Sequence, residues 1–327
     1  MNNASDLIHP IQGHECLSSC IGNILNIKYP QISGDEIIID GGGFEISYDP
    51  VNEIIGSPMY KSNFVFLNQN NISFRYDRLF SKEEAARYLE KVIEEEKYMI
   101  IKVDAKQLSH DRVFSQASNS PHYLNVSKVN KGEVYICDGY VPARNVTVFE
   151  GYVSMDSILS AWGGTEYEYL LFDHYPTINV RDVMTNIELN LWNDIKKYCA
   201  GGIKSGIYYG KDAIKKMIDD YKMCDDVKKI REANYQLRIY GFISMKEIVC
   251  NLLEKKQHQK ENAQVYFWVI QEWDRICMTL VKAVFSRKAE QYESLIKKVD
   301  ACIEREDSIL RKCLADEMLN SVNEEKK

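Results

Sequence analysis

The distribution of proline divides this chain into two halves that must fold differently. All seven prolines lie at or before Pro176, and none follows in the rest of the 327 residues. Proline ends helices and interrupts sheets, so the first half must contain many turns, whereas the second half is free to form long helices. We therefore place a domain boundary within "DHYPTINVRD" and divide the chain into residues 1–178 and 179–327.

The second half has the charged, amphipathic pattern of consecutive helices. Its aromatic residues recur at helical spacing, which is typical of a packed core rather than of a cofactor site. The predicted helices cover residues 183–199, 208–223, 226–241, 243–257, 260–286 and 287–319. We expect this mostly helical half to complete a substrate cleft with the first half.

The first half is predicted to form an α+β domain. The stretch "CLSSCIGNILNIKY" repeats apolar residues on one helical face and ends before a proline, which predicts a helix over 16–28. A serine-capped helix over 81–97 is followed by a buried strand at 98–104. The runs "HYLNVSKVN" and "EVYICDGY" flank a turn at 130–132 and form a hairpin, and "YEYLLFDHY" is a further strand. An N-terminal helix followed by antiparallel strands is typical of the α+β class.

Composition weighs against several classes of protein. The 48 acidic and 41 basic residues give a net charge of −7, whereas a nucleic-acid binder needs a basic face. No apolar run approaches the roughly 18 residues of a membrane span, and the N-terminus lacks the pattern of a signal peptide. The nine cysteines are odd in number and scattered, which indicates a reducing cytoplasm rather than a disulfide framework. The glycine run "DGGGF" lacks the Lys-Ser/Thr of a phosphate-binding loop, so we predict a turn there and no cofactor.

The sequence "GHECLSSCIG" holds the strongest candidate for chemistry. Cys16 stands at the predicted start of the first helix, where unpaired backbone N–H groups and the helix dipole favour a thiolate. Cys20 lies one turn later on the apolar face and is assigned to the core, as are the remaining cysteines. We therefore predict Cys16 as a nucleophile.

A thiolate nucleophile needs an imidazole to exchange its proton, and a third polar group to orient that imidazole. His122 opens the first strand of the predicted hairpin. Residues that oppose each other in this hairpin have numbers that sum to about 262, so Asp138 is a diagonal neighbour of His122. The order Cys, His, Asp along the chain, with the last two residues on adjacent strands, predicts a Cys16–His122–Asp138 triad. Four other histidines are predicted to face solvent: His9, His110, His174 and His258.

Three stretches, "GHECLSSCIGNIL", "PHYLNVSKV" and "VYICDGY", together resemble the N-terminal domain of the butirosin biosynthesis protein H family, which has a papain-like fold. The helical stretch "GIYYGKDAIKKMIDDY" is similar to the continuation of that family. The resemblance implies that Cys16 is the nucleophile, His122 the base and Asp138 the residue that orients the base. It also implies acyl transfer from the phosphopantetheine thioester of an acyl carrier protein to an amine of an aminoglycoside.

The chain departs from the papain-like pattern at the oxyanion hole. Such enzymes commonly carry a glutamine about six residues before the cysteine, but here Gln12 lies four residues before Cys16. Either the loop places Gln12 differently, or the Cys16 N–H and another donor such as the His14 side chain stabilise the oxyanion.

Acidic residues would hold a polyamine acceptor through charge-assisted hydrogen bonds. The candidates flank the glycine run: Asp35, Glu36, Asp40, Glu45 and Asp49. An acyl carrier protein is acidic and would need a basic surface, for which "IKK" at 214–216 and "KKQHQK" at 255–260 are candidates, although such runs are more often solvated helix faces.

Three alternatives remain open. A hydrolase, either a cysteine peptidase or a thioesterase, would use the same triad with water as the acceptor. A non-catalytic papain-like binding module would have Cys16 buried and remote from His122. A metal site could use His14, Cys16 and Cys20 with His122 or Cys137 as the fourth ligand, but this spacing is not that of a structural zinc site, so we predict no metal.

Overall fold

The structure is a computed structural model that divides the chain into two compact units. The first unit contains residues 1–41 and 60–184, and the second contains residues 42–59 and 185–327. The structure describes residues 8–43, 45–57, 59–111, 121–141, 147–221, 241–286 and 289–324, together with residues 234, 237 and 238. Helices and two antiparallel sheets are both present, so the α+β class is confirmed.

The helices and strands are numbered here in chain order. The helices are α1 (Cys16–Asn26), α2 (Gly34–Asp40), α3 (Met59–Gln69), α4 (Lys82–Glu94), α5 (Met155–Gly163), α6 (Val180–Ala200), α7 (Gly210–Tyr221), α8 (Phe242–Glu254), α9 (Lys260–Ser286) and α10 (Ala289–Glu324). The strands are β1 (Ser47–Asp49), β2 (Ile54–Gly56), β3 (Arg75–Arg78), β4 (Tyr98–Asp104), β5 (Pro121–Asn130), β6 (Glu133–Val141), β7 (Thr147–Ser154), β8 (Glu168–Phe172), β9 (Gly202–Lys204) and β10 (Ile207–Tyr209).

A six-stranded antiparallel sheet forms the centre of the first unit. Its strand order is β3-β8-β4-β5-β6-β7. The predicted hairpin is confirmed as β5–β6, and its two-residue turn at Lys131 and Gly132 has positive φ values of 48° and 85°. Such values suit glycine at the second turn position and give the twist that antiparallel strands require. The register pairs Asn125 with Cys137, which is the predicted alignment.

Helix α1 packs against β5 and β6 through its apolar face. Leu17, Cys20, Ile21 and Ile24 are fully buried, as the helical spacing predicts. Burial of each aliphatic side chain of this size contributes about 1.5–3 kcal/mol, so this face fixes the helix on the sheet. The core assignment of Cys20 is confirmed.

A second, four-stranded sheet changes the predicted domain boundary. Its order is β2-β1-β10-β9, and Ser47 pairs with Tyr209. Residues 42–59 therefore belong to the second unit, although the sequence boundary at 178 assigns them to the first. Each of these strands has only three residues, too few for an apolar alternation to reveal them.

The long helices of the second unit follow the sequence pattern. Helix α9 begins and ends at the predicted residues, and α6 begins three residues before its predicted start at 183. Most of the helix predicted at 226–241 lies outside the described residues. Across the described ranges, no helix combines the length and the apolar character needed to span a membrane.

An ion pair is completely buried among the helices of the second unit. Lys246 on α8 bonds to Glu306 on α10, and neither side chain is exposed. Glu306 also accepts hydrogen bonds from the Tyr198 and Tyr266 hydroxyls at 2.7 and 3.0 Å and from the Trp273 Nε1–H at 2.9 Å. A buried charge is tolerated when its partner and its hydrogen bonds are complete, so this cluster depends on all its members.

We predict that Lys246→Met destabilises the second unit by about 3–5 kcal/mol, because it leaves the Glu306 carboxylate buried without a countercharge. The measurement is urea-induced unfolding of the full chain followed by tryptophan fluorescence. The double variant Lys246→Met/Glu306→Gln removes both charges and should recover most of the loss. An unfolding midpoint of Lys246→Met equal to that of the wild type would contradict the prediction.

Candidate active site

Cys16 occupies the first position of α1, as the sequence predicts. Glu15 is the N-cap residue, and its backbone is extended with φ −151° and ψ 139°. Cys16 is half-buried, whereas Cys20 one turn later is fully buried. Cys16 is therefore the more exposed residue of this pair.

Polar contacts fix α1 and the loop before it onto the hairpin. The Asn23 side chain accepts the Ile11 N–H at 2.8 Å and donates to Asn125 Oδ1 at 3.0 Å, and Asn125 in turn donates to the Cys20 carbonyl at 3.0 Å. The loop before α1 also bonds to β6, where Gly139 leaves no room for a side chain because a Cβ would lie 2.6 Å from the Ile11 carbonyl oxygen. These contacts determine where Cys16 lies relative to β5 and β6.

His122 on β5 and Asp138 on β6 form the predicted pair. His122 Nε2 lies 2.8 Å from Asp138 Oδ2, and both side chains are fully buried. Asp138 Oδ1 accepts the Tyr140 N–H at 3.0 Å, which fixes the carboxylate. Since Nε2 faces the carboxylate, Nδ1 is the ring nitrogen that can exchange a proton with a nucleophile.

The sulfur of Cys16 lies at the start of β5. The backbone N–H of Tyr123, the residue that follows His122, bonds to this sulfur, and the charge of Asp138 acts on it. These contacts place the Cys16 sulfur beside the residue that follows His122 and within electrostatic range of Asp138. A non-catalytic module would have Cys16 both buried and remote from His122; the burial of the thiol agrees with that alternative, whereas its contact with the start of β5 does not.

The ionisation of Cys16 differs from the prediction. Burial raises the pKa of its thiol well above the ordinary value, the Glu15 carboxylate raises this pKa further, and the Tyr123 N–H lowers it by less than the sum of those effects. Glu15 accepts the Leu17 and Ser18 N–H groups at 3.1 and 2.7 Å, so it takes the helix-end donors that would otherwise stabilise a thiolate. The prediction of a resting thiolate is wrong; the thiol is protonated and donates to Glu15 Oε1 at 3.5 Å.

His122 is arranged as a base. Burial lowers its pKa, but the charge and hydrogen bond of Asp138, together with the charges of Asp111 and Glu15, raise the pKa of His122 above its ordinary value. Burial raises the pKa of Asp138, but His122 and His110 together hold it well below its usual range. Asp138 therefore stays ionised and keeps the His122 proton on Nε2.

Sequence reasoning missed two residues of this site. The prediction that His110 faces solvent is wrong, because its Nε2 lies 3.0 Å from Asp138 Oδ2 and its side chain is only 8% exposed. Glutamate is not among the preferred N-cap residues, so the sequence does not indicate that Glu15 caps α1. The other three histidines predicted to face solvent, His9, His174 and His258, are exposed.

The two candidate oxyanion donors lie in different surroundings. The Gln12 side chain is exposed on the loop before α1. His14 is buried, and its Nδ1 lies 2.9 Å from Asp35 Oδ1 on α2. Both roles stay predictions, with His14 held in place by a carboxylate.

Three of the predicted amine-binding carboxylates lie in the first unit, and all three are buried. Asp40 is buried and accepts hydrogen bonds from Gln69 and Asn70, so the prediction that it contacts a substrate is wrong. Asp35 and Glu36 are buried too, in the His14 pair and in the α2 capping box. A buried carboxylate that already holds neighbouring donors is not available to an amine in solution.

The other two carboxylates lie in the second unit. Asp49 accepts the Val51 and Asn52 N–H groups at 2.9 and 3.2 Å and holds the turn between β1 and β2. Glu45 lines a cavity of about 440 Å³ with Lys197 and Lys204. A substrate role for either residue stays a prediction.

The metal alternative gains no support from the structure. Across the residues it describes, no cluster of three or more histidine, cysteine or acidic side chains is arranged to hold a metal ion. Cys20 is buried in the core, and His14 faces Asp35.

Comparison of the chain with protein-family models and with curated proteins finds no match.

We predict that Glu15→Gln lowers the pKa of the Cys16 thiol, because it removes a negative charge beside the sulfur and keeps an oxygen that can cap α1. Alkylation of Cys16 by iodoacetamide at a pH of about 7.5 should become several-fold faster, since the thiolate is the reactive form. The rate is measured by intact mass spectrometry. Glu83→Gln, which removes a carboxylate from the first turn of α4, is the matched control. An unchanged rate in Glu15→Gln would show that Glu15 does not hold the thiol protonated.

Proposed function

We propose that this chain is a cysteine acyltransferase that moves an acyl group from a carrier-protein thioester to an amine. The observation that supports the proposal is the contact of the Cys16 sulfur with the backbone of Tyr123, the residue next to the buried His122–Asp138 pair. The resemblance to the butirosin biosynthesis protein H family supports a phosphopantetheine donor and an aminoglycoside acceptor. The described cysteines are all free, in keeping with a cytoplasmic reaction.

The first half-reaction follows from the protonation states. His122 Nδ1 takes the proton of the Cys16 thiol as the sulfur attacks the thioester carbonyl, because the resting thiol is not ionised. The tetrahedral intermediate then breaks the carbon–sulfur bond to the donor. The departing pantetheine sulfur takes the proton from His122, and Cys16 carries the acyl group as a thioester.

The second half-reaction repeats these steps with an amine. The amine attacks the acyl-enzyme and gives a proton to His122, the bond between Cys16 and the acyl carbon breaks, and the Cys16 sulfur regains a proton. Exchange between two thioesters is nearly balanced in free energy, whereas an amide is more stable than a thioester. Transfer to an amine therefore makes the overall reaction favourable.

A cluster of tyrosines beside the nucleophile supports an acceptor that carries polar groups. Asn63, near the start of α3, donates to Glu15 Oε2 at 2.9 Å, which places this end of the helix next to Cys16. Tyr60, about one turn before Asn63, is 42% exposed, stacks on Tyr123 and bonds to its hydroxyl at 2.8 Å. Tyr76 is 40% exposed and donates to Glu168. Rings, hydroxyls and a carboxylate in one place suit an amine that also bears hydroxyl groups.

The candidate basic surfaces are largely neutralised by local pairing. Lys215 bonds to Asp300 at 2.9 Å and Lys216 to Asp220. Within 255–260, Lys256 bonds to Glu188, and His258 lies 2.6 Å from Glu317. These pairs favour solvated helix faces over a carrier-protein surface, and the proposal does not depend on them.

The test uses an acyl-pantetheine thioester and intact mass spectrometry. The full chain should gain one acyl mass that peptide mapping assigns to Cys16. Addition of an aminoglycoside should then remove the adduct and release an amide. Release of free acid at an equal rate with and without the amine would identify a hydrolase, and absence of any adduct would identify a non-catalytic module; either result overturns the proposal.

A further inference from the structure

His110 binds the same oxygen of Asp138 as His122 does. His110 follows a short 3₁₀ turn after β4, and its Nε2 lies 3.0 Å from Asp138 Oδ2, while His122 Nε2 lies 2.8 Å from that atom. The His110 ring stacks on Phe149 with a centroid distance of 4.1 Å and an angle of 7° between the planes. Two imidazoles thus share one carboxylate oxygen, and one of them is held by an aromatic ring.

Because both rings contact Asp138 Oδ2, the positions of their protons are determined. An ionised carboxylate only accepts hydrogen bonds, so both Nε2 atoms carry a proton. With the Tyr140 N–H on the other oxygen, Asp138 accepts three hydrogen bonds. Each donor reduces the negative charge that Asp138 presents to the other donors. His110 therefore weakens the hold of Asp138 on the protonated form of His122.

Three carboxylates act on His122 in the same direction. Asp138 on β6, Asp111 after the 3₁₀ turn and Glu15 before α1 all favour the imidazolium, and the Cys16 thiol is neutral. A base that must also return its proton in each half-reaction works best when its pKa lies near the working pH. Burial of the His122 ring opposes these carboxylates, and His110 opposes them further because it takes a share of the Asp138 oxygen.

We propose that His110 is a positioning residue that limits the basicity of His122 by sharing the Asp138 carboxylate with it. This inference rests on the proposed function for its catalytic meaning. The expected effect on the pKa of His122 depends on the side chains of His110, Asp138 and His122, and on Phe149, which supports the His110 ring.

The test is an NMR titration of the His122 ring in the full chain, with its resonances assigned by their loss in His122→Asn. In His110→Phe, which keeps an aromatic ring but removes the donor, His122 should titrate at a higher pH than in the wild type. His110→Gln supplies an amide donor, so the midpoint of the His122 titration in this variant should lie between those of the wild type and His110→Phe. Initial acylation rates near neutral pH should fall several-fold in His110→Phe and recover at higher pH.

A titration of His122 in folded His110→Phe that is unchanged, or moves to lower pH, would overturn the inference. If this variant does not fold, Phe149→Leu provides the same test, since it loosens the His110 ring and should produce a smaller shift in the same direction; no shift would overturn the inference. The NMR titration of His122 does not require the protein to be catalytically active. A wild-type chain that forms no acyl-enzyme would overturn the proposed function alone.

Discussion

Cys16→Ala is expected to abolish acyl-enzyme formation and to lower turnover by on the order of 10⁴-fold or more, about 5.5 kcal/mol of transition-state stabilisation. The reason is that the reaction has no covalent route once the sulfur is removed, and that His122 and Asp138 then have no proton to exchange. Cys16→Ser should be almost as damaging, because a hydroxyl ionises far less readily than a thiol. The measurement is the steady-state rate of amide formation from an acyl-pantetheine thioester.

Cys20→Ala is the matched control for this prediction. Cys20 lies one turn later on the same helix and is fully buried, so its loss affects packing and leaves the chemistry in place. We expect it to retain acylation of Cys16 at close to the wild-type rate. Persistent labelling of Cys16→Ala by the acyl donor, at a stoichiometry equal to that of the wild type, would show that another residue is the nucleophile.

His122→Asn is expected to lower kcat/KM by about 10³–10⁴-fold, because the neutral Cys16 thiol then has no base to take its proton. Asp138→Asn should have a smaller effect, since an amide oxygen can still accept from Nε2–H but lacks the charge. Acylation is measured as a function of pH for the three proteins, and circular dichroism serves to verify the fold.

The sign of the pH dependence follows from the raised pKa of His122. Only the neutral imidazole accepts a proton, so the wild-type rate should rise with pH through a midpoint above 6.5 and level off at higher pH. His122→Asn should lose this rise. A His122→Asn rate close to that of the wild type, or a wild-type rate that falls as pH increases across this region, would contradict the assignment of His122 as the base.

Several elements can be predicted because their causes are local. The apolar spacing after Cys16 predicts the buried face of α1, and the turn at 130–132 predicts the β5–β6 hairpin. A tight turn fixes register, so counting outward from that turn is enough to place Asp138 beside His122. The start and end of α9 follow from helical periodicity in the same way.

Other parts of the candidate site depend on contacts between distant segments. His110 belongs to the loop after β4, and only the packed sheet brings it to Asp138. The proton on Cys16 depends on burial and on a glutamate that takes the helix-end donors, neither of which spacing reveals. The pairing of β1 with β10, which are far apart in the chain, likewise moves residues 42–59 into the second unit.

The sequence by itself determined the α+β class, the helix that begins at Cys16, and the hairpin that joins His122 to Asp138. The tertiary structure alone decided the second histidine on Asp138, the protonated state of the thiol and the limits of the two units. The physical reason is range: propensity, periodicity and turn geometry act between neighbours in the chain, whereas desolvation and shared hydrogen bonds arise only after distant segments pack.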